Sequence, residues 1–184
     1  MQDDIRKVLD FWLDKVGPDR WYNPPEGLDE DITDRFAGLC LDARAGTCDG
    51  WCCDADGALA LLILLDQFPR NVWRGSGGAF ASDRYALRHA KLAINRGLDL
   101  RIKEPERQFF YLPLMHSEVL ADQEQCVRQF MLKMPETGEM NLPHAIKHRD
   151  VIRRFGRFPS RNAALGRQDS DAELAYRADG GYMS

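Results

Sequence analysis

The chain has 184 residues, 44% of them apolar and 29% charged, with a formal net charge of −4. That length suffices for one domain with a real core, over residues 1–184, and the acidic balance speaks against non-specific nucleic-acid binding, which runs on cations that displace phosphate counterions. No apolar run is long enough to span a bilayer, and Met1 is followed by Asp3 and Asp4 rather than by a basic and then an apolar stretch, so a cytoplasmic protein with no membrane partner is expected.

Ile5, Val8, Leu9, Trp12 and Val16 recur at helical spacing, and Gly17-Pro18 closes that helix. Arg20 to Gly27, with Trp21, Tyr22, Pro24 and Pro25, reads as a loop. Ile32, Phe36, Leu39 and Ala43 mark a second amphipathic helix that ends at Gly46. Cys40, Cys48, Cys52, Cys53 and Cys126 make an odd count of cysteines, which favours free thiols over a disulfide framework. Cys-x3-Cys-Cys with no matching second pair is not a usual zinc spacing.

Ala58 to Leu65 is apolar without interruption. A helix that is apolar on every side must be surrounded by protein, so this one is expected at the centre of the fold. Asp54 or Asp56 can cap its start, and Pro69 is expected to stop it. Asp66, Gln67, Arg70, Asn71 and Arg74 then gather at its end, where polar groups are costly unless they meet partners.

The loop Gly75-Ser76-Gly77-Gly78 lacks the Gly-Lys-Ser/Thr ending of a phosphate loop. A helix follows as far as Arg96. If it starts before Phe80, Asp83 falls on its apolar side; if it starts later, Ser82 or Asp83 is its cap. Glu104-Pro105 opens a further helix, kinked or restarted at Pro113 and continuing to about Met134. Its inward stripe includes His116 and Gln123. Leu142-Pro143 starts the next helix, in which Ala145, His148, Ile152 and Phe155 share a face. Asp171 to Arg177 forms a last short helix, and the Gly180-Gly181 tail is expected to be loose. No stretch alternates with a strand period, so the domain reads as all-α, with seven or eight helices around the central one.

Phe68-Pro69-Arg70-Asn71 is echoed by Phe158-Pro159-Ser160-Arg161-Asn162. Two such chain segments, each delivering arginine and asparagine, could face one space.

LLILLDQFPRNVWRG, AFASD, YLPLMHSE with Asp122-Gln123, and RFGRFPSRNAALGR, together with VLDFW near the N-terminus, resemble the bacterial domain family DUF924 across nearly the whole chain. The resemblance implies a TPR-like α-α superhelix, although no TPR consensus is visible in the residues. It implies no activity. Its polar signature maps onto Asp66, Gln67, Arg70, Asn71, Arg74, Asp83, Tyr111, His116, Ser117, Glu118, Asp122, Gln123, His148, Arg153, Arg157, Arg161 and Asn162. Two features depart from the family pattern: Ser160 stands where members usually carry histidine, and the cysteine cluster is not a family trait.

Four arginines at two helix ends exceed what Asp66 and Asp83 need for neutralisation, and two inward histidines accompany them. That combination suits a small anionic ligand, a carboxylate or a phosphate. In a catalytic version His116 or His148 is the general acid–base, oriented by Asp66, Asp83 or Glu118. Gln67, Arg70, Asn71, Arg74, Asp83, Glu118, Gln123, Arg153, Arg157, Arg161 and Asn162 are the candidate ligand contacts. His144 and His148 are four apart on a helix with no third ligand at a telling spacing, so neither metal nor cofactor is expected. The alternative reading is a TPR-like scaffold for a protein partner, its polar network purely structural.

Overall fold

Every residue from Ala58 to Leu65 is at most 1% exposed in the computed structural model, which describes residues 1–182. The central helix lies where the apolar run demands it, and the fold is all-α, with no strand among the described residues. Helix α4 (Ala55–Leu62) is capped by Asp54, whose carboxylate accepts from the Gly57 N–H at 2.8 Å.

Pro69 does not stop this helix. Beyond Leu62 the backbone widens into π-helical turns at Ile63–Gln67 and resumes as α5 (Phe68–Val72). A proline has no N–H, so the carbonyl one turn back, that of Leu65, loses its helical donor. The Ser82 hydroxyl donates to it instead, at 2.7 Å. The Arg70 guanidinium takes the neighbouring Asp66 carbonyl. The Ser82 hydroxyl thus replaces a bond that the backbone cannot make.

Around this spine, α1 (Gln2–Leu9) runs on in π-helical turns through Asp10–Val16 and ends at Gly17 as expected. The expected loop after it begins with a short helix, α2 (Pro18–Trp21), anchored by the Trp21 indole donating to the Trp12 carbonyl at 2.8 Å. Helix α3 (Leu28–Arg44) packs against α5. Phe11, Trp12, Phe36, Phe68 and Phe109 meet in edge-on and tilted pairs whose ring centres lie 4.8 to 6.2 Å apart.

Helix α6 (Asp83–Asn95) takes the later of the two starts open to it, but the Ser82 side chain does not cap it, being committed to the Leu65 carbonyl. The long helix expected from Glu104 to about Met134 is broken. A 3₁₀ turn at Glu106–Phe110 leads to α7 (Leu112–Met115), and α8 (Leu120–Lys133) begins only after an irregular stretch holding His116 and Ser117. The apolar pattern runs straight across this break. What holds the break is Gln123, fully buried, whose amide donates to the carbonyls of Met115 and Ser117 at 2.6 and 2.7 Å. Helix α9 (Gly138–Phe155) starts earlier than Leu142, with Pro143 inside it, and closes at Gly156 in the left-handed conformation, φ 68°.

Past Gly156 a small second core gathers Val151, Ile152 and Phe158 with Phe155, Tyr176 and Tyr182. The last helix, α10 (Asp171–Ala178), is closed by a capping box between Ser170 and Glu173. As far as Tyr182, the tail expected to be loose folds back on the body. The Tyr182 N–H donates to the Tyr176 hydroxyl at 2.8 Å, and the Tyr182 ring packs against His148. All five cysteines are free thiols. Among the described residues no helix is long and apolar enough to cross a membrane.

Candidate functional site

The π-helical turns at Ile63–Gln67 bring Asp66 to the end of the spine, where it is 1% exposed. Four other segments meet it there: α5, the start of α6, the break after α7, and the 3₁₀ turn Pro159–Arg161. Asp66 Oδ1 lies 2.8 Å from Nδ1 of His116 and 3.5 Å from the Arg70 guanidinium, and the Gln67 amide donates to its other oxygen. Arg70 reaches on to Asp83 at 3.2 Å. Arg161 meets the same carboxylate at 2.9 Å. The two arginines that follow the two Phe-Pro pairs therefore converge on one residue, Asp83, and the contacts run in series from His116 through Asp66, Arg70 and Asp83 to Arg161. The Arg161 guanidinium is also packed between the rings of Phe80 and Phe158, 4.6 Å from each ring centre.

His148 stands behind this series, its ring centre 6.3 Å from that of His116. Its Nδ1 donates to the His144 carbonyl at 2.8 Å. A carbonyl only accepts, so the His148 proton sits on Nδ1 and Nε2 is a bare acceptor. His116, held at Nδ1 by a carboxylate, adopts the same tautomer.

Burial opposes ionisation of Asp66, but Arg70 and then His116 outweigh it and hold the carboxyl down at about 2. Burial, with the Arg70 charge, lowers His116. Burial, with His116, lowers His148 to about 3. Both imidazoles are thus neutral at neutral pH. Burial and the neighbouring Arg70 depress Arg161, against the pull of Asp83.

The other expected ligand contacts stand elsewhere, each with its own partner. Asn71 and Arg74 both turn to Asp29, at 2.8 and 2.9 Å. Arg157 pairs with Glu173, both of whose oxygens lie 2.7 Å away, and Asn162 with Asp169 at 2.6 Å. Arg153 meets Glu124 on the surface. Glu118 takes Arg167 and the Phe158 N–H, each at 2.8 Å. Gln123 is spent on backbone carbonyls. Asp29 and Glu173 thus neutralise two of the arginines that counted as surplus against Asp66 and Asp83 alone.

Phe80 is a site residue that the sequence did not single out, since nothing in a glycine-rich loop marks one aromatic as a guanidinium platform. Gln108 is another. Its side-chain carbonyl accepts from Asn141 at 2.7 Å and from the Tyr22 hydroxyl, which turns inward from an otherwise open ring. Among the described residues no group of three or more His, Cys, Asp or Glu side chains gathers as metal ligands.

The family model for bacterial proteins of unknown function, DUF924, matches residues 8–181. A solved structure from Agrobacterium tumefaciens, the protein of unknown function ATU0120, superposes with a TM-score of 0.89 at 40% identity, over 97% of this chain and 99% of that one. No curated protein matches. The match over nearly the whole chain, in sequence and in three dimensions, makes this chain a member of the DUF924 family.

Proposed function

We propose that the cluster around Asp66 is a small-molecule site that takes an anion, a carboxylate or a phosphate, with His116 as general acid–base. The observation that carries this reading is the Asp66–His116 pair. A buried carboxylate fixes Nδ1 of the ring, which leaves the partly exposed ring free to offer Nε2 to a ligand, and the ring is neutral and so able to accept a proton. Arg161 supplies the anion preference. Its charge is disfavoured by burial and by Arg70, so an incoming anion relieves a cost already present. His148 is the second proton carrier, one ring away.

A second reading has an observation of its own. Arg70, Arg74, Arg153, Arg157 and Arg161 each hold a carboxylate, which is what a TPR-like scaffold for a protein partner requires of a structural network.

A thermal-shift series with inorganic phosphate, pyrophosphate and small carboxylates separates the two. A bound anion at one hundred times its dissociation constant stabilises by about 2.7 kcal/mol. The expected result is a rise in Tm for the wild type that Arg161→Lys abolishes, because a lysine cannot lie flat between two rings or grip bidentately. No rise with any anion makes the network scaffold.

A further inference from the structure

Away from Asp66, a thiol, an imidazole and a carboxylate stand in line. Cys52 Sγ lies 3.3 Å from Nδ1 of His89, which α6 presents to it. Nε2 of the same ring is 3.5 Å from Asp49 Oδ1. Asp49 also accepts from the Tyr85 hydroxyl, and the Tyr85 ring meets the imidazole edge-on with centres 4.6 Å apart. His89 is 6% exposed, yet its Nε2 has no hydrogen bond of good geometry. A buried ring nitrogen left without a bond costs stability, so packing alone is a poor account of this residue. The backbone that carries the thiol is pinned, since the Arg96 guanidinium donates to the carbonyls of Cys52 and Cys53 at 2.6 and 3.3 Å. Cys52 itself is partly open to solvent. Among the described residues no other thiol contacts a histidine.

We propose that Cys52 is a base-assisted nucleophilic thiol for small uncharged carbon electrophiles of the α,β-unsaturated carbonyl class, with His89 as its base and Asp49 as the residue that positions His89. In the step, sulfur forms a bond to the β-carbon and the carbon–carbon π bond opens. Its electrons pass to the carbonyl as an enolate. The thiol proton, taken up at Nδ1, returns to the α-carbon. The reaction is an addition, so no oxidant or leaving group is needed. The ligand class follows from the setting: the partly buried sulfur admits only small molecules, and Asp49 and Arg96, of opposite sign, both act on it, so neither sign of charge is favoured.

The pair has a distinctive pH behaviour. Burial and then Asp49 push the Cys52 thiol up to about 11, with Cys53 adding and Arg96 opposing. Burial and Arg88 lower His89, against Asp49. Neutral thiol and neutral imidazole therefore persist together over a wide range, and the reacting pair keeps a constant population there. A solvent-exposed thiol instead speeds up about tenfold per pH unit below its pKa.

Acrylamide labelling of the whole protein from about pH 7 to about pH 9, read by peptide mapping, tests the proposal. Cys52 is expected to label at a rate nearly flat in pH, and ahead of the exposed Cys53 at the acid end. His89→Gln is expected to slow Cys52 about a hundredfold and to restore the slope, while Asp49→Asn falls between. The proposal is overturned if Cys53 labels first throughout and the Cys52 rate climbs with pH as an ordinary thiol does. It is equally overturned if His89→Gln leaves Cys52 unchanged. The wild-type profile alone decides should the buried substitutions fail to fold.

Discussion

The Ser82 hydroxyl donates to the Leu65 carbonyl, 2.7 Å away, the one acceptor in the central helix that Pro69 leaves without a donor. Ser82 is 1% exposed, so no water can take its place. Ser82→Ala is therefore expected to cost about 1–3 kcal/mol, the penalty of a buried carbonyl left unpaired. Urea unfolding measures it. A loss within experimental error would mean that the helix closes over Pro69 by another route.

Two substitutions in α4 probe how tightly the spine is held. Leu62 is 1% exposed, and Leu62→Ala is expected to cost about 2–5 kcal/mol, depending on how far the cavity collapses. Gly57→Ala pits two effects against each other. Helix propensity favours alanine by about 1 kcal/mol. The added Cβ, however, would land on the Trp51 carbonyl oxygen, well inside contact distance, and a backbone atom cannot swing away. Steric cost should win, and the variant should melt below the wild type.

Arg70 and Arg161 should not behave alike. Arg70→Ala strips the buried Asp66 of the guanidinium paired with it, an outcome expected to cost about 3–5 kcal/mol. Arg161→Ala leaves Asp83 still paired with Arg70, and a loss of about 1–3 kcal/mol is expected. In the double variant Asp83 loses both partners, so the total should exceed the sum of the singles. Additivity in a double-mutant cycle would show that the carboxylate is not shared.

Acid should destabilise the protein in two stages. The folded state holds His148 at about 3, below its usual 6.5. As pH falls below about 6.5 the unfolded chain binds a proton that the folded one refuses. Stability present above that point drains away by about 1.4 kcal/mol per pH unit until about 3. His116, lowered in the same direction, adds to the slope. Asp66 contributes the second stage, between its usual 3.8 and about 2, where protonation of the unfolded carboxyl again comes first. Unfolding free energies across a pH series should show both stages, and His148→Gln should flatten the upper one.

The spine, the helices around it and the meeting of two Phe-Pro arginines are legible in the residues because burial imposes periodicity and repeated turns repeat their chemistry. The passage through Pro69 is not, since a π-helical turn leaves no mark in an unbroken apolar run. The break after α7 is hidden for a related reason: the stripe Leu112 to Phe130 keeps its spacing while Gln123 bonds the backbone between. The partners of Arg74 and Arg157 escaped notice because Asp29 lies 45 residues away and Glu173 sits on a short terminal helix. Charge counts confined to a motif overstate its excess.

The small core of Val151, Ile152 and Phe158 is separate from the main one, yet its neighbourhood supplies His148 and Arg161 to the site. The piece from Phe158 to Tyr182 is held to the body through this small core and through Arg161 on Asp83 and Arg167 on Glu118, and is expected to open as a latch. A segment held by a small apolar core and a few ion pairs releases more readily than a fully buried apolar spine. Amides of α10 should then exchange with solvent before those of α4, and each release withdraws Arg161 from Asp83. Any ligand of the site binds only the closed fraction, so its apparent affinity is scaled by how much of the time the latch is shut. Added salt would weaken binding by lengthening the open intervals, even for a ligand that carries no charge.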